Sequence, residues 1–318
     1  MEIERIEQFY KIHGRNKDEF YFSHIFRYPG AISQKEAIVV YGNDTSKYID
    51  YINKYHIDKV IIEEGLESLE FLKFTPHIKY LWIRGNYDLE PLYYLTKINF
   101  LINASNKQLV IDNINGIEFL STNPEYMFIN NDVPSLKSLE VSGNIKGLNF
   151  LTKFNNLDTL VIHSTNIKSL SCIENLNYLK VLILINNKKL TNIDSLNGVK
   201  RSLKHLTIEN CNYIKDYSII GNLNELVYLS FNKMKYVPSI KFIKKLKKLH
   251  TFIFTYSNLL DGNMTSILEL KHAVIVPIKK HFYKDDNGER KGIMDSDIPY
   301  GERVKGDEDI EFWRRTDY

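Results

Sequence analysis

The chain has 318 residues, with 42 basic against 39 acidic side chains and a formal net charge of +3. So even a balance gives no strong attraction for a polyanion and weighs against nucleic acid as a partner. Its two cysteines, Cys172 and Cys211, are too few for a disulfide framework and belong to no CxxC pair, which suits a reducing compartment.

Taken in order, Ile3, Ile6, Phe9, Tyr10 and Ile12 fall near helical spacing before Gly14 and predict a capping helix over residues 1–13. This opening carries acidic residues and no continuous apolar core, so it does not read as a secretory signal, and no later run reaches the length of a membrane span. The expectation is a cytoplasmic protein with no membrane partner. Phe20, Tyr21, Phe22, Phe26 and Tyr28 follow, ending at a Pro29-Gly30 turn, and residues 1–36 together read as a cap that seals the first repeat. A strand around Ile38 to Tyr41 comes next. Then Ser46 is placed to cap a helix with Tyr48, Ile49, Ile52 and Tyr55 on one face.

From there the chain repeats itself. The pattern Leu179-x-x-Leu182-x-Leu184-x-x-Asn187 recurs at intervals of about twenty residues. Its second apolar position aligns Leu81, Leu101, Leu139, Leu160, Leu182, Leu206, Leu229 and Phe252, with Val39 and Val60 before them and Ala273 after. The 38 residues between Leu101 and Leu139 leave room for one more unit around Ile117 to Leu120, although Thr122 and Glu125 break its pattern. About twelve strands result. Alternate side chains on each strand face opposite ways, and one unit cannot bury its leucines without stacked neighbours. An Asn after the strand can satisfy turn backbone groups. Asn86, Asn106, Asn144, Asn187 and Cys211 align there, with Thr165, Met234 and Ser257 as departures.

Leu157, Leu160, Ile162, Ile167, Leu170, Ile173 and Leu176 in one unit, and Leu179, Leu182, Leu184, Asn187, Leu190, Ile193 and Leu196 in the next, carry a resemblance to the leucine-rich repeat family in its short internalin-like or SDS22-like form. The resemblance covers residues 37–276. It implies an α/β leucine-rich-repeat solenoid, a horseshoe with about twelve parallel strands on its concave face and flanking caps. After Pro277 the pattern stops, and Asn287-Gly288 between Lys279 to Tyr283 and Glu289 to Met294 predicts a hairpin. Residues 277–318 therefore read as a C-terminal hairpin cap and polar tail, with Ile298, Tyr300, Ile310, Phe312 and Trp313 as its apolar anchors.

In this register the side chains between the core positions face the concavity. Tyr80, Trp82, Phe100, Ile102 and Phe119, with Glu63 and Arg84 beside them, form an exposed apolar patch suited to a protein partner, unless the N-terminal cap or an irregular fifth unit folds over it. His163, Ile183, Ile185, His205, Glu209, Tyr228, Asn232 and Lys233 form a second, more polar zone. There His163 and His205 stand two strands apart, about 10 Å, too far to share a metal. Lys241, Lys244, Lys245, Lys247 and Lys248 interleave with Phe242, Ile243, Leu246 and Leu249 as the solvated face of a short convex helix, phosphate contact being the minority reading.

The familiar nucleophile, phosphate-loop and zinc motifs are missing, and the cluster of Asp285, Asp286, Asp295 and Asp297 near His281 reads as turn chemistry. No catalytic residue, metal or cofactor is expected. The reading is a non-enzymatic module that binds another protein through its concave face, an inhibitor or immunity protein neutralising a toxin. A delivered effector or regulatory subunit binding a cellular protein is one alternative, and an enzyme with its chemistry in the C-terminal tail is another.

Overall fold

The computed structural model describes residues 2–24, 36–96, 98–277, 282–284 and 287–292. The chain divides between Leu139 and Glu140 into two compact units.

In the first unit the predicted helix α1 (Glu2–His13) forms and leads into a tight antiparallel hairpin of β1 (Arg15–Lys17) and β2 (Phe20–His24). Asp18 and Glu19 take positive φ in its turn, 51° and 68°, so the turn twists with its strands. Strand β2 pairs antiparallel with β3 (Glu36–Val40), and from there the pairing is parallel through β4 (Lys59–Ile62), β5 (Tyr80–Ile83), β6 (Phe100–Asn103) and β7 (Phe119–Thr122). Helix α2 (Ser46–Lys54) buries Tyr48, Tyr51 and Ile52. Phe20 closes on two of these rings, 5.2 Å from Tyr48 and 4.3 Å from Tyr51. Ser46 begins this helix rather than capping it: its backbone N–H and its hydroxyl both donate to Asp44 Oδ1. The Pro29-Gly30 turn, with Phe26 and Tyr28, lies outside the described residues.

The second unit begins within β8 (Ser138–Ser142) and continues through β9 (Thr159–His163), β10 (Val181–Ile185), β11 (His205–Glu209), β12 (Tyr228–Asn232), β13 (Thr251–Ser257) and β14 (His272–Pro277), neighbours in chain order. From β3 to β14 this makes the dozen strands of the repeat. Leu160, Leu182, Leu206, Leu229, Phe252 and Ala273 lie at one level of the ladder, as aligned from sequence. Val60, Leu81, Leu101 and Leu120 do the same in the first unit. Ile38, not Val39, partners Val60, and a shift of one residue sends Val39 to the opposite face.

What lets the chain leave each strand is a residue in the left-handed region. Ser164, Asn186, Asn210, Lys233 and Tyr256, each directly after the ladder residues of its strand, have φ between 50° and 55°. The N–H groups of the first four donate to the next strand, to Ile185, Glu209, Asn232 and Thr255. The turn behind is held by buried polar side chains. Asn187 Oδ1 accepts from the Thr165 N–H at 3.1 Å and from its hydroxyl at 2.7 Å, while its Nδ2 donates to the Ile162 carbonyl at 2.7 Å. Cys211 reaches the Leu184 and Glu209 carbonyls, and Ser257 accepts from the Met234 N–H. The departures at Thr165 and Met234 are thus served by the coil that follows each of them.

Asn86, Asn106 and Asn144 do not belong to this ladder. They are exposed, and their neighbours Tyr87, Ser105 and Ile145 are buried instead. A one-residue change in the turn, marked by Gly85 and Gly143 at φ near 106°, places the following side chain inward. Tyr87 then satisfies a buried group itself, donating to the Glu63 carbonyl at 2.5 Å.

The return segments are short 3-10 turns, as in Ile173–Asn175, Asp194–Val199 and Lys241–Lys245. In the last of these Phe242 and Ile243 are buried and the lysines exposed, with Lys244 and Lys248 paired to Glu269 and Glu225. The irregular unit after β7 makes its own return: Asn123 caps the turn Pro124–Tyr126, and Met127–Phe128 pairs in parallel with Leu109–Val110. Beyond the last strand, Phe282–Lys284 and Arg290–Gly292 form the expected hairpin around Gly288, and Phe282 exchanges backbone hydrogen bonds with Gly262 and Met264. Asp285, Asp286, His281 and everything after Gly292 lie outside the described residues.

Candidate functional site

Because strand side chains alternate, every second residue of the ladder turns away from the leucine core onto an open face. In the first unit that face carries a closed aromatic floor. Phe100 and Phe119 stack with centroids 4.2 Å apart and planes 9° off parallel, and Tyr80 leans on Phe100 at 5.7 Å. Phe100, Ile102 and Phe119 are buried in a cluster with Ala37, Val39 and Ile61, against which Ile6 of α1 and Tyr21 of β2 pack. The expectation that Phe100, Ile102 and Phe119 stand exposed is therefore corrected. Large apolar groups one strand apart bury one another, and the N-terminal elements add to the cover.

At the edge of this floor the side chains are half-buried and ordered by charge. Arg84 sits over the Trp82 ring at 3.8 Å and pairs with Glu63 at 2.8 Å. Glu63 is buried rather than open to solvent, and its carboxylate fixes the guanidinium in one orientation. Lys59 lies over Tyr80 at 4.7 Å while paired to Asp58 at 2.9 Å.

The second unit sorts its open face into three rows by register. Thr159, Val181, His205, Tyr228, Thr251 and His272 share one row. Val161, Ile183, Thr207, Ser230, Ile253 and Val274 share the next, and His163, Ile185, Glu209, Asn232 and Thr255 the third. Two more expectations change here, since Ile183 and His205 are buried. His205 is stacked on Tyr228 at 5.7 Å, so its ring serves as a wall for the tyrosine. His163 stands in a different row from His205 and donates toward Glu140, with Nε2 2.9 Å from Oε1. Among the described residues no group of His, Cys, Asp and Glu has the geometry to hold a metal ion. Glu209 pairs with Lys233 at 2.8 Å, and this hydrogen bond, then the charge behind it, raises the lysine's affinity for its proton. What remains half-exposed is mixed: Val181, Ile185, Tyr228 and Ile253 among His163, Glu209, Asn232 and Thr255.

Sequence reasoning missed Glu140 and the His205–Tyr228 stack. Glu140 follows a core leucine directly, Leu139, which was the signal that it faces the open side.

No family model matches the chain, and no curated protein matches it. Solved structures do. An internalin (inlF) from Listeria monocytogenes strain 4b F2365 superposes with a TM-score of 0.53 at 19% identity, over 76% of this chain and 73% of that one. TLR13, in its complex with ssRNA13, gives a TM-score of 0.53 at 16% identity, over 72% of this chain and 37% of the receptor, so the chain spans little more than a third of it. With the repeating parallel ladder, these likenesses define the fold: the chain has the leucine-rich repeat fold.

Proposed function

We propose that the protein is a non-enzymatic binding module that holds another protein on the open face of its strands. The observation that carries this reading is the Glu63–Arg84–Trp82 group, in which a buried carboxylate orients a guanidinium over a half-buried indole. Trp, Tyr and Arg are the side chains that most often dominate protein interfaces, and a pre-oriented group loses little freedom on binding. The mixed apolar and polar rows of the second unit have the same character. Within this proposal the finer role is an inhibitor, such as an immunity protein that occupies a toxin's active site, and the place is the cytoplasm, where the free thiols of Cys172 and Cys211 suit the redox poise. The reading predicts that Trp82→Ala weakens partner binding by at least about 2 kcal/mol in a variant that circular dichroism shows to be folded at the assay temperature. Titration of the variant with the partner at unchanged affinity removes this site.

A further inference from the structure

A second surface lies along the edge of the second unit where the chain leaves its strands. Strands β10 and β11 pair with an offset of 24 residues, Val181 with His205, and β11 and β12 with an offset of 23, His205 with Tyr228. Carried into the turns, these offsets set Lys189, Tyr213 and Tyr236 at one position of three successive coils. Lys188, Asn212 and Lys235 fall at the position before, and Asn186, Asn210, Lys233 and Tyr256 at the left-handed residue.

The three tyrosines are far more open than ring side chains usually are, at 61% for Tyr213, 57% for Tyr236 and 59% for Tyr256. Lys188, Lys189, Lys215, Lys233 and Lys235 are exposed around them. The backbone beneath is fixed. Asn212 Nδ2 donates to Asn210 Oδ1 at 2.7 Å, Asn210 Nδ2 to Asn186 Oδ1 at 2.7 Å, and the Lys235 N–H to Asn212 Oδ1 at 2.5 Å.

The carboxylates nearby are engaged elsewhere. Asp216 accepts from the Ser218 N–H and hydroxyl, and Glu209 holds Lys233. The bonds from Ser218 hold the Asp216 carboxyl below its usual range, so it keeps its charge, and it is the five exposed lysines against these two carboxylates that leave the edge net positive although the whole chain is close to neutral.

We propose that this edge binds single-stranded nucleic acid, with Tyr213, Tyr236 and Tyr256 as platforms for unpaired bases and Lys188, Lys189, Lys215 and Lys235 as phosphate contacts. Adjacent coils lie about 4.8 Å apart, so Tyr213 and Tyr236 project from the same position of neighbouring coils, one after the other along the direction a strand would run. Flat rings interleaved with cations are the chemistry that holds single strands without sequence preference, since every base has a face to stack and every nucleotide a charge. A folded protein partner fits less well. Its anchors bury within apolar surroundings that exclude water, whereas each of these rings is bordered by lysines and amides. A duplex hides its base faces and has no use for the rings. The proposal is independent of the open strand face.

The test is fluorescence anisotropy with a labelled 20-nucleotide oligo(dT) and oligo(U) on the full chain, across a salt series, with labelled poly-glutamate as the comparison. Tyr213→Ala with Tyr236→Ala is expected to weaken binding roughly tenfold per ring and to leave the salt slope unchanged. Lys188→Gln, Lys189→Gln and Lys235→Gln together should reduce the slope of log affinity against log salt by about 2. A control that changes Lys241, Lys244 and Lys247 to Gln removes as many charges from the return turns and should bind as wild type does. All these side chains are exposed, and circular dichroism melting confirms that each variant folds. No binding of either oligonucleotide at low salt overturns the proposal. So does equal loss in the control, or poly-glutamate binding that matches the oligonucleotides and ignores the tyrosines. Trp82→Ala should bind oligonucleotide normally, which separates this edge from the protein-binding face.

Discussion

Asn187→Ala tests whether the turn ladder holds the coils together. The side chain is fully buried and makes three hydrogen bonds, two accepted from Thr165 and one donated to the Ile162 carbonyl. Truncation leaves the Thr165 N–H and hydroxyl without their acceptor and takes from the Ile162 carbonyl the bond it makes beyond the strand ladder. A buried group orphaned in this way costs about 1–3 kcal/mol, and because the hydroxyl can rotate toward another acceptor the expected total is about 3 kcal/mol. Asn86→Ala is the matched control. Asn86 is exposed and accepts from the Ser105 hydroxyl and the Asn106 N–H, so its loss should cost no more than about 1 kcal/mol. Urea unfolding followed by circular dichroism gives both values, and hydrogen exchange at the Thr165 amide localises the effect. Equal costs for the two variants would refute the claim that the inward Asn position bears the stability. So would an unchanged exchange rate at Thr165.

The remaining predictions concern packing and ionisation. Gly198→Ala places a methyl group 2.5 Å from the Cα of Glu174 in the neighbouring return turn, and overpacking against backbone should cost about 1–3 kcal/mol in urea unfolding. Leu182→Ala empties a fully buried level of the ladder and should cost about 2–5 kcal/mol, with wild-type stability as the contrary result. Burial pushes the Cys211 thiol up to about 11, so a disulfide reagent at pH 8 should titrate Cys172 in the native chain and both thiols after unfolding. The same shift has a sign. The folded state keeps its proton where the unfolded thiol has lost its own, so this contribution is full below the ordinary thiol value near 9 and is lost as pH rises through 11. Unfolding midpoints of wild type and Cys211→Ser should converge over that interval.

Much of the fold was legible because one signal was repeated. From Leu160 to Phe252 the leucine positions coincide with the ladder register, since a strand that slipped by one residue would turn its whole apolar set to water. The first unit was harder to read. Val39 was misaligned by one position because β3 is apolar on both faces, Ala37 and Val39 on one and Ile38 and Val40 on the other, so alternation gave no phase. Asn86, Asn106 and Asn144 matched the consensus letter but not the turn, whose geometry is set by Gly85 and Gly143 in the coils of Asn86 and Asn144. For the site, facing was easier to read than exposure. Phe100 and Phe119 face the open side as expected, yet burial depends on neighbours three strands away in sequence order and on Ile6 and Tyr21, which no repeat pattern encodes. Glu63 and Arg84 were visible beside the patch, at one level of neighbouring strands, but nothing in the letters said that they pair or that the carboxylate is the buried partner.

Capture by the tagged full chain from its native cells measures whether the open strand face holds a protein partner. Wild type is compared with a Tyr80→Ala, Trp82→Ala and Tyr228→Ala triple variant of confirmed fold, and with the return-turn lysine variant as control. Wild type and the control should each return one partner at stoichiometric yield, and the triple variant should lose it. A partner retained at wild-type yield by the triple variant would contradict it.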